Sequence, residues 1–124
     1  MDEIALHRDQ RGVVFEPLDE ARLTTQRNVH VVLTEPGCIR GNHYHRKGTE
    51  VITVYGPALV RLREGAELEE RIVAEGQALR FTIPPGISHA VKNTGDRPNL
   101  LIAFNSEVHN WEAPDVVCDV LIER

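Results

Sequence analysis

The feature that most restricts how this chain can fold is the spacing of its turn signals. Pro36-Gly37, Gly48, Gly56-Pro57, Glu64-Gly65, Glu75-Gly76, Pro84-Pro85-Gly86 and the run from Asn93 to Asp96 punctuate it at short, fairly regular intervals. Between them lie segments rich in valine, isoleucine and threonine, residues that favour a pleated, half-buried backbone. Strands are predicted at Val29–Thr34, Val51–Tyr55, Leu59–Arg63, Leu79–Ile83, His89–Lys92 and Leu100–Asn105. Many short strands at this spacing pack as a sandwich or a closed barrel, with no room for crossover helices. One short helix, around Leu18 to Leu23, is the only helical prediction. The fold class is therefore all-β, and 124 residues fit a single domain spanning 1–124.

Composition narrows the function. With 41% apolar and 27% charged residues the chain reads as soluble and globular, and no apolar run approaches the roughly 20 residues of a membrane helix. Net charge is −5 and the basic residues are scattered, which disfavours nucleic acid but leaves room for a small anion held by local arginines. The opening MDEIALHRDQRG lacks the basic-then-apolar order of a signal peptide, so a cytoplasmic location is expected. Cys38 and Cys118 are far apart with no C-x-x-C pairing, and are expected to be buried or idle reduced thiols.

The stretch RGNHYHRKGTE, residues 40–50, carries the chemistry. Side chains alternate along a strand, so His43 and His45 share one face while Tyr44 takes the other. In the next segment Glu50 shares a face with Ile52 and Val54, whose apolar character points it inward. A third histidine, His89, follows the stiff turn Pro84-Pro85-Gly86 at the start of a later strand. Polar groups converging inside a β-fold are costly unless something pairs them. Three imidazoles and a carboxylate form a donor set for a divalent transition metal such as zinc, nickel, iron or manganese. The plainer reading makes each histidine a surface residue or a satisfied core residue.

GCIRGNHYHRKGTE, residues 37–50, followed by Gly56, resembles the first cupin motif, and PPGISHAVKN, residues 84–93, resembles the second. The resemblance implies a double-stranded β-helix (cupin, or jelly-roll, barrel) with at most one short helix, and metal ligands His43, His45, Glu50 and His89. DQRGVVFE, residues 9–16, together with the Arg40–Tyr44 stretch, is similar to paired segments of the dTDP-sugar 3,5-epimerase and ketoisomerase families. The longer RGNHYH looks still more like the C-terminal cupin domain of nucleotide-sugar enzymes of capsular polysaccharide synthesis.

That narrower resemblance implies isomerisation or epimerisation of a nucleotide-linked keto sugar. It assigns Arg11 and Arg40 to the diphosphate and puts His43 and Tyr44 at the reacting sugar. A histidine nitrogen bonded to metal cannot also accept a proton, so His30 becomes the candidate base and Tyr44 the residue returning the proton. Strict alternation puts Arg40 and Tyr44 on the face opposite His43, so they reach the pocket only through a bulge or loop. The same donor set suits a metal-dependent dioxygenase, and a non-catalytic small-molecule-binding cupin is the third reading. Small barrels of this kind resemble proteins that pair through sheet edges and terminal strands, which implies a homodimer. His109 and Trp111 are expected to cover a barrel end or a partner subunit, Tyr55 to serve packing or an interface, and Arg61, Arg63 and Arg80 to lie on a solvated face.

Overall fold

The computed structural model describes residues 1–123. Twelve strands and one helix follow in order: β1 (Asp2–Glu3), β2 (His7–Asp9), β3 (Gly12–Val14), α1 (Glu20–Leu23), β4 (Asn28–Thr34), β5 (Ile39–His45), β6 (Glu50–Tyr55), β7 (Ala58–Glu64), β8 (Glu67–Val73), β9 (Ala78–Ile83), β10 (Ser88–Asn93), β11 (Asn99–Asn105) and β12 (Val116–Cys118). All pairings are antiparallel. They build one five-stranded sheet in the order β1-β9-β6-β11-β4, a second in the order β12-β5-β10-β7-β8, and the separate ribbon β2-β3. The expected cupin fold is thus present as two sheets. Among the described residues no ladder joins them into a closed barrel.

Residues from both sheets form one core. Ile52, Val54, Leu79 and Phe81 of the first sheet meet Val60, Val73 and Val91 of the second. Fully burying side chains of this size contributes about 1.5–3 kcal/mol each. Strand β6 departs from simple alternation, because Val51 and Thr53 are as buried as Ile52 and Val54. The chain before α1 explains it: Leu18 packs on Val51 and Phe104, and the Thr53 hydroxyl donates to the Pro17 carbonyl 2.9 Å away. Asp19 caps α1 by accepting the backbone N–H of Arg22 at 2.8 Å.

Two expectations are corrected here. Arg80 is not on a solvated face: its side chain is only 13% exposed and pairs with Asp2 at 3.2 Å, because β1 and α1 cover that end of the sheet. Arg61 and Arg63 remain partly exposed, paired with Glu70 and Asp119. Cys38 and Cys118 are free but exposed rather than buried. Among the described residues no helix is long and apolar enough to cross a membrane.

Candidate metal centre

Strand β5 carries the first two histidines, and it is not regular. Along β10 the register runs from His89, opposite His43, to Ala90, opposite Gly41, so Asn42 is an extra residue in β5. Asn42 adopts φ 58°, a left-handed conformation that asparagine tolerates better than most residues. The bulge is held from outside. The Asn42 carboxamide oxygen accepts the N–H groups of Leu121 and Ile122 at 2.9 and 3.0 Å, and its amide donates to the Ile122 carbonyl at 3.0 Å. One added residue reverses the alternation, so Arg40 joins the face of His43.

On that face the histidines converge. Each of His43, His45 and His89 offers a ring nitrogen, and the three lie within 4.8 Å of one another. The Glu50 carboxylate sits between two of them, Oε2 at 2.9 Å from Nε2 of His45 and Oε1 at 3.1 Å from Nε2 of His89. The His45 contact is short, yet it lacks hydrogen-bond alignment and leaves that Nε2 buried without a hydrogen-bond partner. We therefore treat it as an electrostatic contact between two groups aimed at a shared point. Nδ1 of His89 faces the Ile87 carbonyl at 3.4 Å, which turns its Nε2 toward the cluster. On the far side of His45, Asp115 lies 3.9 Å from Nδ1.

The electrostatics suit metal ligands. Burial, helped by the neighbouring His89 and His45, pushes the His43 imidazole down to about 4, so it is neutral near pH 7. Burial opposes charge on His45, but the Glu50 and Asp115 carboxylates outweigh it and raise its pKa. Burial likewise works against the Glu50 anion, yet the two imidazoles hold it well below the usual carboxylate range. An unsatisfied buried imidazole nitrogen, two more nitrogens and an anionic carboxylate at one point fit a divalent cation better than they fit a hydrogen-bond network.

The other predicted site residues divide. His30 lines the cavity with Arg40, His43 and His89, as well as a second cavity that includes His45 and Glu50. Arg40 reaches the first cavity, its guanidinium held by the Thr34 hydroxyl and the Leu33 carbonyl at 3.3 and 3.2 Å. Tyr44 does not. It lies beyond the bulge, keeps the opposite face of β5 and lines neither cavity. Arg11 sits at the β2–β3 turn with a 91% exposed side chain paired to Asp9, outside both cavities. Tyr55 stacks on Phe15, a packing role as expected. His109, expected to cover a barrel end or a partner subunit, lines the second cavity and meets His30 edge-on, ring centroids 5.8 Å apart. It stands in the loop between β11 and β12, so neither strand phase nor a spacing motif could have pointed to it.

Comparison with known proteins identifies the family and the fold. The family model for the polysaccharide biosynthesis C-terminal domain matches residues 7–117. A UDP-2-acetamido-2,6-beta-L-arabino-hexul-4-ose reductase of Pseudomonas aeruginosa is 29% identical over 123 residues, 95% of this chain and 32% of that protein. A probable low-salt glycan biosynthesis epimerase, Agl13, of Haloferax volcanii is 26% identical over 127 residues, 91% of this chain and 80% of that protein. Among solved structures, the capsular polysaccharide assembling protein CapF of Staphylococcus aureus superposes with TM-score 0.70 at 25% identity, over 95% of this chain and 33% of CapF. A 3,4-ketoisomerase of Helicobacter canadensis shares the fold, with TM-score 0.71 at 17% identity over 94% of this chain and 87% of its own. The chain spans about a third of the length of the reductase and of CapF. With nearly all of it matched, this chain belongs to the polysaccharide biosynthesis C-terminal domain family, on a cupin-type β fold.

Proposed function

We propose that this chain is a metal-binding cupin that isomerises or epimerises a nucleotide-linked keto sugar in polysaccharide biosynthesis. The observation that carries the reading is the meeting of His43, His45, His89 and Glu50, with a buried Nε2 of His45 left unsatisfied. A divalent transition metal held there, whether zinc, nickel, iron or manganese, supplies Lewis acidity toward a substrate carbonyl. The protein's own groups do the rest. His30, on the wall shared by both cavities, takes the proton from the carbon beside the carbonyl. Arg40, at the rim, holds a diphosphate oxygen, a task suited to a planar guanidinium fork. Ile52, Val91 and Leu101 form an apolar floor that keeps water from the inner end.

The names of the relatives, an epimerase and a sugar-nucleotide reductase, favour this reading over oxygen chemistry. The exposed apolar stripe of Val29, Val31 and Leu33 on β4, and the β2-β3 ribbon that pairs with neither large sheet, support a homodimer. Two unpaired cysteines go with a cytoplasmic setting. Solvent deuterium exchange tests the activity. Metal-loaded protein incubated in D2O with dTDP- or UDP-linked 4-keto sugars is expected to place deuterium beside the carbonyl of one of them. No exchange across that panel removes the isomerase reading.

A further inference from the structure

His30 and Glu50 border two cavities of opposite character. The one already described, about 180 Å³, has an apolar floor and Arg40 at its lip. The other, about 100 Å³, lies beneath the loop that joins β11 to β12. Its polar walls come from Asn28, Asn105, Glu107, His109, Asn110 and Asp115. Among the described residues that line it there is no arginine or lysine. A phosphate placed here would face Glu107 and Asp115 with no arginine or lysine to offset them. A neutral ring of hydroxyls would find acceptors and donors together.

The donors are set in place. The carboxamide oxygen of Asn105 accepts the Glu107 N–H at 2.8 Å, and that of Asn110 accepts the N–H groups of Glu112 and Ala113 at 3.0 and 3.3 Å. Their amide NH2 ends are thereby left as the groups that can face a ligand. His109 is the odd member. Its ring is wedged edge-on between His30, at 5.8 Å, and Trp111, at 4.1 Å, and its Nε2 is buried without a hydrogen-bond partner. A buried ring nitrogen is costly to leave unpaired, and a ligand hydroxyl would pair it.

We propose that this second cavity is the hexose subsite and that His109 anchors a ring hydroxyl in it, while the nucleotide diphosphate stays on the Arg40 side. The assignment rests on the nucleotide-sugar reading above, and it makes His109 a specificity-determining residue for the sugar and not for the nucleotide.

Trp111 is the only tryptophan in the chain and packs on His109, so its fluorescence reports on this cavity through that contact. Binding of UDP, dTDP, UDP-glucose and dTDP-glucose would be measured by calorimetry and by Trp111 emission, on the wild type and on two variants. His109→Phe keeps a ring between His30 and Trp111 but removes the nitrogen. His109→Gln returns an amide near the same place. Loss of one neutral hydrogen bond is expected to weaken the nucleotide-glucose ligands of His109→Phe about 5- to 10-fold, with UDP and dTDP changed less than about twofold. His109→Gln is expected to recover to within about threefold of the wild type, and Trp111 emission to change with the sugar nucleotides only. Equal weakening of nucleotide and sugar nucleotide, or no weakening of either, overturns the anchor and leaves the parent reading standing. A wild type that binds none of the four overturns the nucleotide-sugar reading and the anchor with it.

Discussion

At the scale of single residues, Glu50 shows why the site asks for a cation. A buried carboxylate within about 3 Å of two imidazole nitrogens is tolerable only if positive charge is shared among them. Protons can supply part of that charge, but three imidazole nitrogens within 4.8 Å of one another repel when protonated together, so a metal does it better. Wild-type protein purified without chelator is expected to carry close to one equivalent of a transition metal by elemental analysis, and His89→Ala less than a tenth. Chelation is expected to lower the wild-type melting temperature by about 5 °C or more, because a ligand bound only by the folded state stabilises it. The same treatment should leave His89→Ala unmoved, and equal shifts in both proteins would speak against ligation. The convergence of these four residues was legible in the sequence because strand alternation pairs His43 with His45, the apolar partners of Glu50 aim it inward, and the resemblance to the two cupin motifs implies the set with His89. The position of Arg40 was not. It depends on one extra residue, Asn42, held by backbone groups about 80 positions away, and local patterning carries no trace of such a contact.

At the scale of elements, the bulge in β5 is where folding and site geometry meet. Gly41 has φ +85°, and a Cβ built there would stand 2.6 Å from the carbonyl oxygen of His89. Gly41→Ala therefore combines an unfavourable backbone conformation with a clash against a ligand residue. We expect a loss of about 2–3 kcal/mol in urea unfolding together with reduced metal content. Phe81→Ala separates the two effects: it empties the fully buried centre of the core, with an expected cost of about 3–5 kcal/mol. The strands that make the core, β6, β7, β9, β10 and β11, were readable because their apolar runs are bounded by clear turns. The missed ones are short or charged. β8 reads ELEERIV and is an edge strand of the second sheet, where exposed charge is a normal defence against stray pairing and hides the period-two signal. β1, β2, β3 and β12 have only two or three residues each, too few to show alternation at all.

At the scale of the whole molecule, the first sheet leaves its outer face unfinished. Val29, Val31 and Leu33 on edge strand β4 are 54%, 69% and 65% exposed. They stand opposite Phe104, Ile102 and Leu100 of β11 in the ladder; Leu18 covers Phe104, and the apolar surface extends onto β11 only at the partly exposed Ile102 and Leu100. A contiguous apolar sheet face beside an unpaired edge is the kind of surface that a second copy covers. The alternate residues His30 and Val32 turn the other way, into the site, so the two faces of β4 are chemically independent. Sedimentation at tens of micromolar is expected to give twice the chain mass of 14.0 kDa for the wild type and the chain mass for Val31→Lys. Because Val31 is exposed in the single chain, this substitution should change monomer stability by less than about 0.5 kcal/mol. Metal content should also be unchanged, since Val31 faces away from the ligands. A wild type that sediments at 14.0 kDa leaves the exposed stripe without a second copy to cover it. Dissociation accompanied by loss of metal would instead mean that the paired sheets, and not one chain alone, hold the four ligands in place.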